Sequence, residues 1–304
     1  MDHQARTTEP MGLQHATVVD THRLPWESGL DYLRTLAPAF RDNLGPADQV
    51  EANFAKYRQK NLYLDPNSTR RLDWVQLEPG YSDLTHCCHD SVEEGFLLGG
   101  EVALDGEAHL QAADYFWRPP GWIHHARTEQ GVELLLGFEG KSNESGPVSR
   151  HVCEAQQAGR NHLISHTDES SLGTRGRLCK VSSSGLVWQP GHAYARSEGP
   201  LAGFDLPNLS VRPLSRNPHT GQQTVLLRLS PGYRQHSHGA HSVWWQMVVL
   251  SGSLEWGDEV MGPGVFVHRP AHTTEPPMAS ASGAVIYAKL DGWMDFVPQA
   301  SPLT

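Results

Sequence analysis

Charged residues, cysteines and long apolar runs are all scarce in this chain of 304 residues. Charged residues make up only 19% of it and the net charge is −10, with no basic cluster, so nucleic acid and anionic membrane surfaces are excluded as partners. The four cysteines form no CxxC pair, which argues against a disulfide framework or a zinc ribbon. No apolar run approaches the roughly 18 residues of a membrane span, and the N-terminus lacks the apolar core of a secretion signal. We therefore expect a soluble, cytoplasmic protein.

Turn-forming residues are abundant instead. The chain has 29 Gly and 21 Pro, and its apolar segments are short and separated by Gly, Pro, Asp or Asn, as in EEGFLLGGEVAL and VELLLGFEG. Short strands at close, regular intervals are typical of a β-sandwich or β-barrel. The chain is also long enough to form two domains with separate cores. We predict an all-β protein.

The most informative feature is an internal repeat. The stretch PGYSDLTHCCHDSVEEGFLLGGE begins at Pro79, and it aligns without gaps with PGYRQHSHGAHSVWWQMVVLSGS, which begins at Pro231. The alignment places Gly80 on Gly232, Tyr81 on Tyr233, His86 on His238, His89 on His241, Leu98 on Leu250 and Gly100 on Gly252. A repeat of this length indicates two copies of one supersecondary unit. Each copy has paired histidines beside a predicted strand.

The repeat divides the chain into three predicted parts. Residues 1–65 form an N-terminal extension that is partly helical, because apolar residues recur at three- and four-residue steps between residues 26 and 62. Two short helices are expected there, broken at Gly45-Pro46. Residues 66–150 form the first copy, and residues 151–304 contain a connector and a second, degenerate copy. The polar, Ser- and Gly-rich composition of residues 141–175 indicates the connector.

Two groups of residues in the first copy have a characteristic spacing. The first follows G(x)5HxH(x)3-4E(x)6G at Gly80, His86, Cys88, Glu93 and Gly100, with the cysteine in the second His position. The second follows G(x)5PxGxxH from Ala113 to His124, with the alanine in place of the leading glycine. Both groups resemble the motifs of the cupin superfamily. The stretch YFWRPPGWIHH followed by GVELLLG is similar to cupins of the anti-sigma-factor type, a group that includes dioxygenases acting on β-diketones and hydroxyacetophenones.

The resemblance implies a fold and a metal site. The fold is two cupin domains, each a jelly roll (double-stranded β-helix), after a short helical N-terminal segment. The implied metal ligands are His86, the residue at 88 or 89, Glu93 and His124. Imidazole and carboxylate groups that converge from different strands suit a divalent first-row metal ion.

The choice between Cys88 and His89 depends on the local strand geometry. In a regular strand Cys88 shares the face of His86, whereas a bulge would turn His89 inward. The second copy has Ala240 at the position of Cys88. Because alanine cannot bind metal, His89 is favoured, and Cys88 is kept as the alternative.

Neighbouring side chains have predicted places as well. Strand alternation puts Glu94 on the solvent-facing side and His125 on the face opposite His124. Apolar aromatic residues that would form a substrate pocket around the metal, or equally well the barrel core, are Phe96, Phe116 and Trp122.

The second copy departs from the ligand pattern. Trp245 stands where the first copy has Glu93, and Glu275 stands where the second motif requires a histidine. We expect this copy to serve packing, with Trp244 or Trp245 filling its cup. The alternative is a residual metal site made of His236, His238, His241 and His272.

For function, the resemblance implies a mononuclear non-haem iron dioxygenase that cleaves a carbon–carbon bond of a small enolisable or phenolic ketone, with O2 as co-substrate and Glu93 as a catalytic candidate. Fe²⁺ is the expected ion, although Zn²⁺, Ni²⁺, Mn²⁺ and Cu²⁺ suit the same ligands. The alternatives are a non-catalytic, zinc-binding regulatory or sensing module, and a cupin isomerase or hydrolase that uses another divalent metal. No nucleic acid or membrane partner is expected, and a homodimer is compatible with the sequence.

Overall fold

The structure is a computed structural model that describes residues 16–36, 38–42, 44–68, 70–84, 89, 91–105, 108–118, 122, 124–139, 179–198, 204–217, 220–235, 238–295 and 297–298. The described residues fall into two compact units. The N-terminal unit consists of Asp20–Trp188 and Arg212–Leu226. The C-terminal unit consists of Met1–Val19, Gln189–Val211 and Leu227–Thr304. No described helix is long and apolar enough to cross a membrane.

The first half of the chain begins with a strand, continues with short helices and then becomes a series of strands. In order these elements are β1 (Thr17–Asp20), β2 (Glu27–Ser28), α1 (Gly29–Thr35), α2 (Pro38–Arg41), α3 (Ala47–Phe54), β3 (Tyr57–Leu64), β4 (Arg71–Leu77), β5 (Tyr81–Ser82), β6 (Glu93–Leu104), β7 (Ala108–Gln111), β8 (Asp114–Arg118), β9 (Ala126–Thr128) and β10 (Val132–Phe138). The helix boundary predicted at Gly45-Pro46 is present, since α2 ends before this pair and α3 begins directly after it. The single helix expected before this boundary is instead two short helices, α1 and α2.

The predicted helical stretch ends earlier than expected. Residues from Tyr57 onward form β3, which pairs antiparallel with β4. Tyr57 follows Phe54 at a helical spacing, so the pattern of apolar residues in the sequence predicts that the helix continues. Pairing along the whole length of β4 outweighs this local periodicity, as tertiary context often does.

The second half of the chain repeats the same kinds of element. In order they are β11 (Cys179–Ser182), β12 (Gln189–Pro190), α4 (Gly191–Glu198), β13 (Leu209–Arg216), β14 (Gln222–Leu229), β15 (Tyr233–Arg234), β16 (Gly239–Ala240), β17 (Trp245–Gly252), β18 (Leu254–Trp256), β19 (Glu259–Met261), β20 (Val265–Arg269), β21 (Met278–Ser280), β22 (Ala284–Asp291) and β23 (Val297–Pro298). The 141–175 connector and the predicted boundary at residue 150 lie outside the described residues, and the other domain boundaries stay predictions.

Strand pairing is antiparallel in every described ladder of the N-terminal unit. The strand order is β11-β8-β6-β10-β4-β3-β2. Strands β7 and β9 also pair with β6, and β5 pairs with β9. The long strand β6 pairs with β8 and β10 along its first part and with β7 and β9 along its last part. It therefore belongs to both faces of the barrel, and its first residue, Glu93, lies at the barrel end.

The remaining sheets have the orders β1-β20-β17-β22-β14-β13-β12 and β15-β21-β18-β19, with β16 paired to β23. Two strands, β1 and β11, pair with strands that belong to the other copy of the repeat. Strand β1 pairs with β20 of the second copy, and β11, from the start of the second copy, pairs with β8. The architecture is the all-β one that the sequence predicts.

Two glycine positions have the same conformation in both halves of the repeat seen in sequence. Gly100 has φ +75° and Gly252 has φ +77°. A Cβ atom on Gly100 would lie 2.1 Å from the carbonyl oxygen of Gly131, and one on Gly252 would lie 2.0 Å from that of Gly283. The two copies therefore need glycine at the same turn for the same steric reason.

Candidate metal centre

Three of the predicted ligands lie together at the end of the barrel. His89 precedes β6, Glu93 begins it, and His124 lies between β8 and β9. The Nε2 atoms of His89 and His124 are each 3.7 Å from an oxygen of Glu93, and the imidazole centroids are 5.1 Å apart. Among the described residues, these form the one group of three His, Cys, Asp or Glu side chains whose ligand atoms all lie within 4.8 Å of one another.

The cluster is well shielded from solvent. Glu93 and His124 are buried, and the His89 side chain is 14% exposed. His86, Cys87 and Cys88 lie outside the described residues, so the choice between Cys88 and His89 stays a prediction. His89 does lie beside Glu93 and His124, as the bulge hypothesis requires.

Arg118 controls the charge of the cluster. This residue ends β8, is buried, and donates a hydrogen bond of 2.6 Å from Nη1 to Oε2 of Glu93. Burial alone would raise the pKa of Glu93, but the guanidinium of Arg118, together with His124 and His89, outweighs burial and lowers the pKa to about 2. The carboxylate is therefore ionised at neutral pH.

His124 has the neutral form that a metal ligand needs. Burial, and then the positive charge of Arg118, lower its pKa to about 3, although Glu93 acts in the opposite direction. Its Nδ1 lies 3.3 Å from the backbone carbonyl oxygen of Trp122. A proton on Nδ1 makes this contact a hydrogen bond and leaves the lone pair on Nε2, which is the nitrogen that faces Glu93.

The ligand atoms fit a metal ion of the predicted kind. Two atoms bound to one ion at about 2.1 Å lie roughly 3–4 Å apart, and the His–Glu separations of 3.7 Å fall in this range. Oε1 of Glu93 lies 3.7 Å from Nε2 of His89. Oε2, which also accepts the hydrogen bond from Arg118, lies 3.7 Å from Nε2 of His124, so each imidazole has one carboxylate oxygen in this range. Two imidazoles and one carboxylate are ligands that Fe²⁺, Zn²⁺, Ni²⁺ and Mn²⁺ all accept.

A cavity of about 200 Å³ adjoins the cluster. Phe116 lines it, as predicted, whereas Phe96 and Trp122 are not among its lining residues. Phe96 is three residues after Glu93 on β6, so strand alternation places it on the other face of the sheet. Gly95 points toward the cavity side instead, since a Cβ there would lie 2.3 Å from the ring of Phe116.

The prediction that Glu94 faces solvent is wrong. Glu94 points away from the cluster but is 0% exposed. Its Oε2 accepts hydrogen bonds from Tyr115 at 2.6 Å and from Thr224 at 2.7 Å, and the hydroxyl groups of Tyr115 and Ser215 are 2.7 Å apart. Thr224 and Ser215, which belong to the same unit, therefore lie against this face of the sheet. The alternation of a strand correctly predicts that Glu94 points away from Glu93. It does not show which distant residues bury the Glu94 side chain.

His125 lies apart from the cluster, as predicted. Its Nδ1 is 3.2 Å from Oδ2 of Asp105, and it does not line the cavity. Residues that sequence reasoning did not place at the site include Arg118 and Arg71 from the barrel and Tyr32, Leu44 and Phe54 from the helical segment, all of which line the cavity. Arg118 and Arg269 each end a strand directly before a proline, so the repeat could have indicated that an arginine is needed at this position.

The C-terminal unit has a different cluster at the corresponding position. His241 Nε2 is 3.1 Å from Oε1 of Glu275, whose Oε2 is 2.6 Å from Nε of Arg269. Trp245, at the position of Glu93, is 0% exposed, and its ring centroid is 4.4 Å from that of His241. This buried tryptophan fits the predicted packing role. No group of three close ligands occurs among the described residues of this unit, and His236 lies outside them.

Comparisons with known proteins agree on the fold. No protein-family model matches the chain, and no curated protein is similar to it in sequence. Among solved structures, a proposed dioxygenase from Nostoc punctiforme has a TM-score of 0.66 at 15% identity over 94% of this chain and 87% of that one. The E. coli protein Ylba has a TM-score of 0.55 at 11% identity over 97% of both chains.

A third structure is salicylate 1,2-dioxygenase from Pseudoaminobacter salicylatoxidans in adducts with gentisate. It has a TM-score of 0.51 at 14% identity and covers 94% of this chain and 83% of that one. These neighbours are cupin-fold proteins and include enzymes. The chain therefore has the all-β cupin fold that its sequence motifs predict.

Proposed function

We propose that this protein is a metal-dependent dioxygenase, with a single iron ion, that cleaves a carbon–carbon bond of a small enolisable or phenolic ketone. His89, Glu93 and His124 would hold the ion, with His86 as a fourth ligand. The observation that carries the proposal is the buried His–Glu–His cluster at the wall of a cavity. Dioxygenases among the structural neighbours support the same class of reaction.

The bound ion would supply a Lewis acid and a template for the substrate and O2. The protein's own residues prepare the site for it. Arg118 keeps Glu93 ionised and fixes its orientation through Oε2. The Trp122 carbonyl sets the tautomer of His124. The buried position of the cluster keeps bulk water away from a bound enolate or phenolate.

The size of the cavity supports a small substrate. An apolar cavity of about 150 Å³ holds one benzene molecule, and this cavity measures about 200 Å³. One ring with a short side chain is therefore close to the upper limit. The adjoining cavity also favours an enzyme over a purely structural zinc site, which needs ligands on all sides and no space beside it.

The test combines metal analysis with oxygen uptake on a panel of β-diketones and hydroxyketones. We expect His124→Ala to lose bound metal and oxygen uptake together, and a chelator to abolish uptake in the parent. His125→Ala is the matched control, since this neighbouring histidine contacts Asp105 outside the cavity, and it should behave like the parent. Oxygen uptake that survives in His124→Ala would refute the proposal. Stable metal binding with no oxygen uptake on any compound would favour the zinc-binding regulatory or sensing module.

A further inference from the structure

The helical segment before the barrel supplies one wall of the cavity. We call the described residues between 29 and 57 the helical cap. The cap side chains that line the cavity include Tyr32 in α1, Leu36 directly after it, Leu44 in the loop between α2 and α3, and Phe54 at the end of α3. These side chains also pack on one another around the buried Leu33, Leu36 and Val50. The cavity thus has two walls. The barrel wall contains the predicted metal ligands His89, Glu93 and His124, and the cap wall contains no residue of this cluster.

Ring contacts connect the metal-ligand cluster to the cap through two side chains. The His89 ring centroid is 4.7 Å from that of Phe138. The guanidinium carbon of Arg71 lies 4.6 Å from the Phe138 ring and 6.0 Å from the Tyr32 ring. Phe138 and Arg71 therefore lie in turn along one path from His89 to Tyr32 of the cap.

The cap is held against the barrel at several points and is a fixed wall. Asn53 accepts a hydrogen bond from the backbone N–H of Ser82 at 3.2 Å, and the Lys56 ammonium donates to the Gly80 carbonyl at 2.6 Å. A Cβ atom on Gly29 would lie 2.2 Å from the Phe54 carbonyl oxygen, so α1 is in close contact with the end of α3. A wall fixed in this way limits how long a ligand can be.

The chemistry of this wall suits an apolar ring. Tyr32 and Tyr57 stack at 5.8 Å with 27° between their planes, and Phe54 lies 6.4 Å from Tyr57. Leu36 and Leu44 complete an apolar surface with aromatic edges and faces, which are the groups that pack well on another aromatic ring. None of the described cap residues that line the cavity is charged.

We infer that the helical cap determines specificity by selecting substrates with one apolar ring at the end opposite their chelating oxygens, and that Leu44 sets the length limit. The inference rests on the proposed function, because the cluster must hold the chelating end. It predicts a preference between two ligands that share the same chelating group and differ only in the ring. Acetylacetone and benzoylacetone are such a pair, with a methyl group in one replaced by a phenyl group in the other.

The experiment measures the affinities of both diketones by titration calorimetry of the zinc-loaded protein, since zinc is not redox-active and no turnover occurs. In the parent, benzoylacetone should bind at least about tenfold more tightly than acetylacetone, from burial of the ring. Leu44→Trp should remove this preference, because it weakens the binding of benzoylacetone more than that of acetylacetone, and the zinc content measures whether the metal site is intact. Leu44→Ala, which enlarges the cavity, should keep the preference and improve binding of a diketone with a para-methyl group on the ring.

Val187→Trp is the control, because this residue is 81% exposed, lies in the same unit and does not line the cavity. It should keep the preference of the parent. The inference is overturned if the parent shows no preference, or if Leu44→Trp keeps it with zinc bound. Failure of both diketones to bind the zinc-loaded parent would instead refute the proposed function, and the inference with it.

Discussion

Ala113 has a backbone conformation that alanine seldom adopts. Its φ is +68°, in the left-handed region, and its counterpart in the second copy is Gly264 with φ +84°. This is the position at which the cupin motif has glycine. The sequence departs from the motif there, but the backbone does not, so the rest of the fold imposes the turn on an unfavourable residue.

Ala113→Gly should therefore stabilise the protein, by about 1 kcal/mol in the free energy of unfolding, because glycine adopts positive φ without a steric cost. Gly264→Ala makes the reverse change at the equivalent turn and should destabilise by about the same amount. Urea denaturation of both variants checks this. A loss of stability in Ala113→Gly would mean that the methyl group contributes more through packing than the conformation costs.

Arg118 is the residue on which the charge of the site depends. Arg118→Met would leave the buried Glu93 carboxylate without its ionic partner and should lower the free energy of unfolding by about 3 kcal/mol. Arg127→Met is the matched control, since the Arg127–Asp105 pair at 3.1 Å is half-exposed and should contribute less than about 1 kcal/mol. Denaturation of the metal-free protein measures both. Equal effects would show that the Arg118–Glu93 pair contributes no more than a surface pair.

The resemblance to the cupin motifs implied that Glu93 and His124 lie together with the residue at 88 or 89, and the repeat favoured His89 for that place. They could not predict what Glu94 or Arg118 contacts. Thr224, which donates to Glu94, lies 130 residues further along the chain, and no local pattern contains that information.

At the scale of elements, one close contact at Gly29 fixes the position of α1 within the helical cap. Gly29 begins α1, and a Cβ atom there would lie 2.2 Å and 2.7 Å from the carbonyl oxygens of Phe54 and Tyr57. Backbone atoms cannot move aside as a flexible side chain can, so α1 would have to shift away from β3. Sequence periodicity predicted these helices but not their contact with the barrel, and it extended the helical stretch into β3.

Gly29→Ala should lower the free energy of unfolding by about 2 kcal/mol, as overpacking of a tight contact does. Gly185→Ala makes the same change where a Cβ atom would have nothing within 4 Å, and it should change stability by less than about 0.5 kcal/mol. Thermal denaturation followed by circular dichroism compares the two. If Gly29→Ala is as stable as Gly185→Ala, the cap is more loosely held than the contacts indicate.

At the scale of the whole molecule, the two copies of the repeat differ in their metal-ligating side chains. Both pair a buried glutamate with the equivalent arginine at 2.6 Å, Glu93 with Arg118 and Glu275 with Arg269. The first copy adds two imidazoles to the carboxylate, and these three ligands suit a cation. The second has a buried tryptophan, Trp245, at the position of Glu93, and no group of three close ligands occurs among its described residues.

Metal content should therefore be close to one ion per chain. His89→Ala should lower it, because one imidazole of the cluster is lost, and His241→Ala, the equivalent change in the second copy, should leave it at the value of the parent. Elemental analysis of the purified variants measures this. A content near two that falls to one in His241→Ala would show that the second copy binds metal as well.

The pairing of β1 and β11 affects whether the two copies of the repeat can be separated by cleaving the chain. Strand β11, which completes an edge of the N-terminal unit, is encoded after the connector, and β1, which belongs to the C-terminal unit, is encoded before the first copy. A break in the connector would leave each fragment with one strand that pairs in the other unit and with an uncovered edge on its own sheet. Neither copy can therefore be separated as a self-contained module, even though the repeat makes the chain look divisible in its middle.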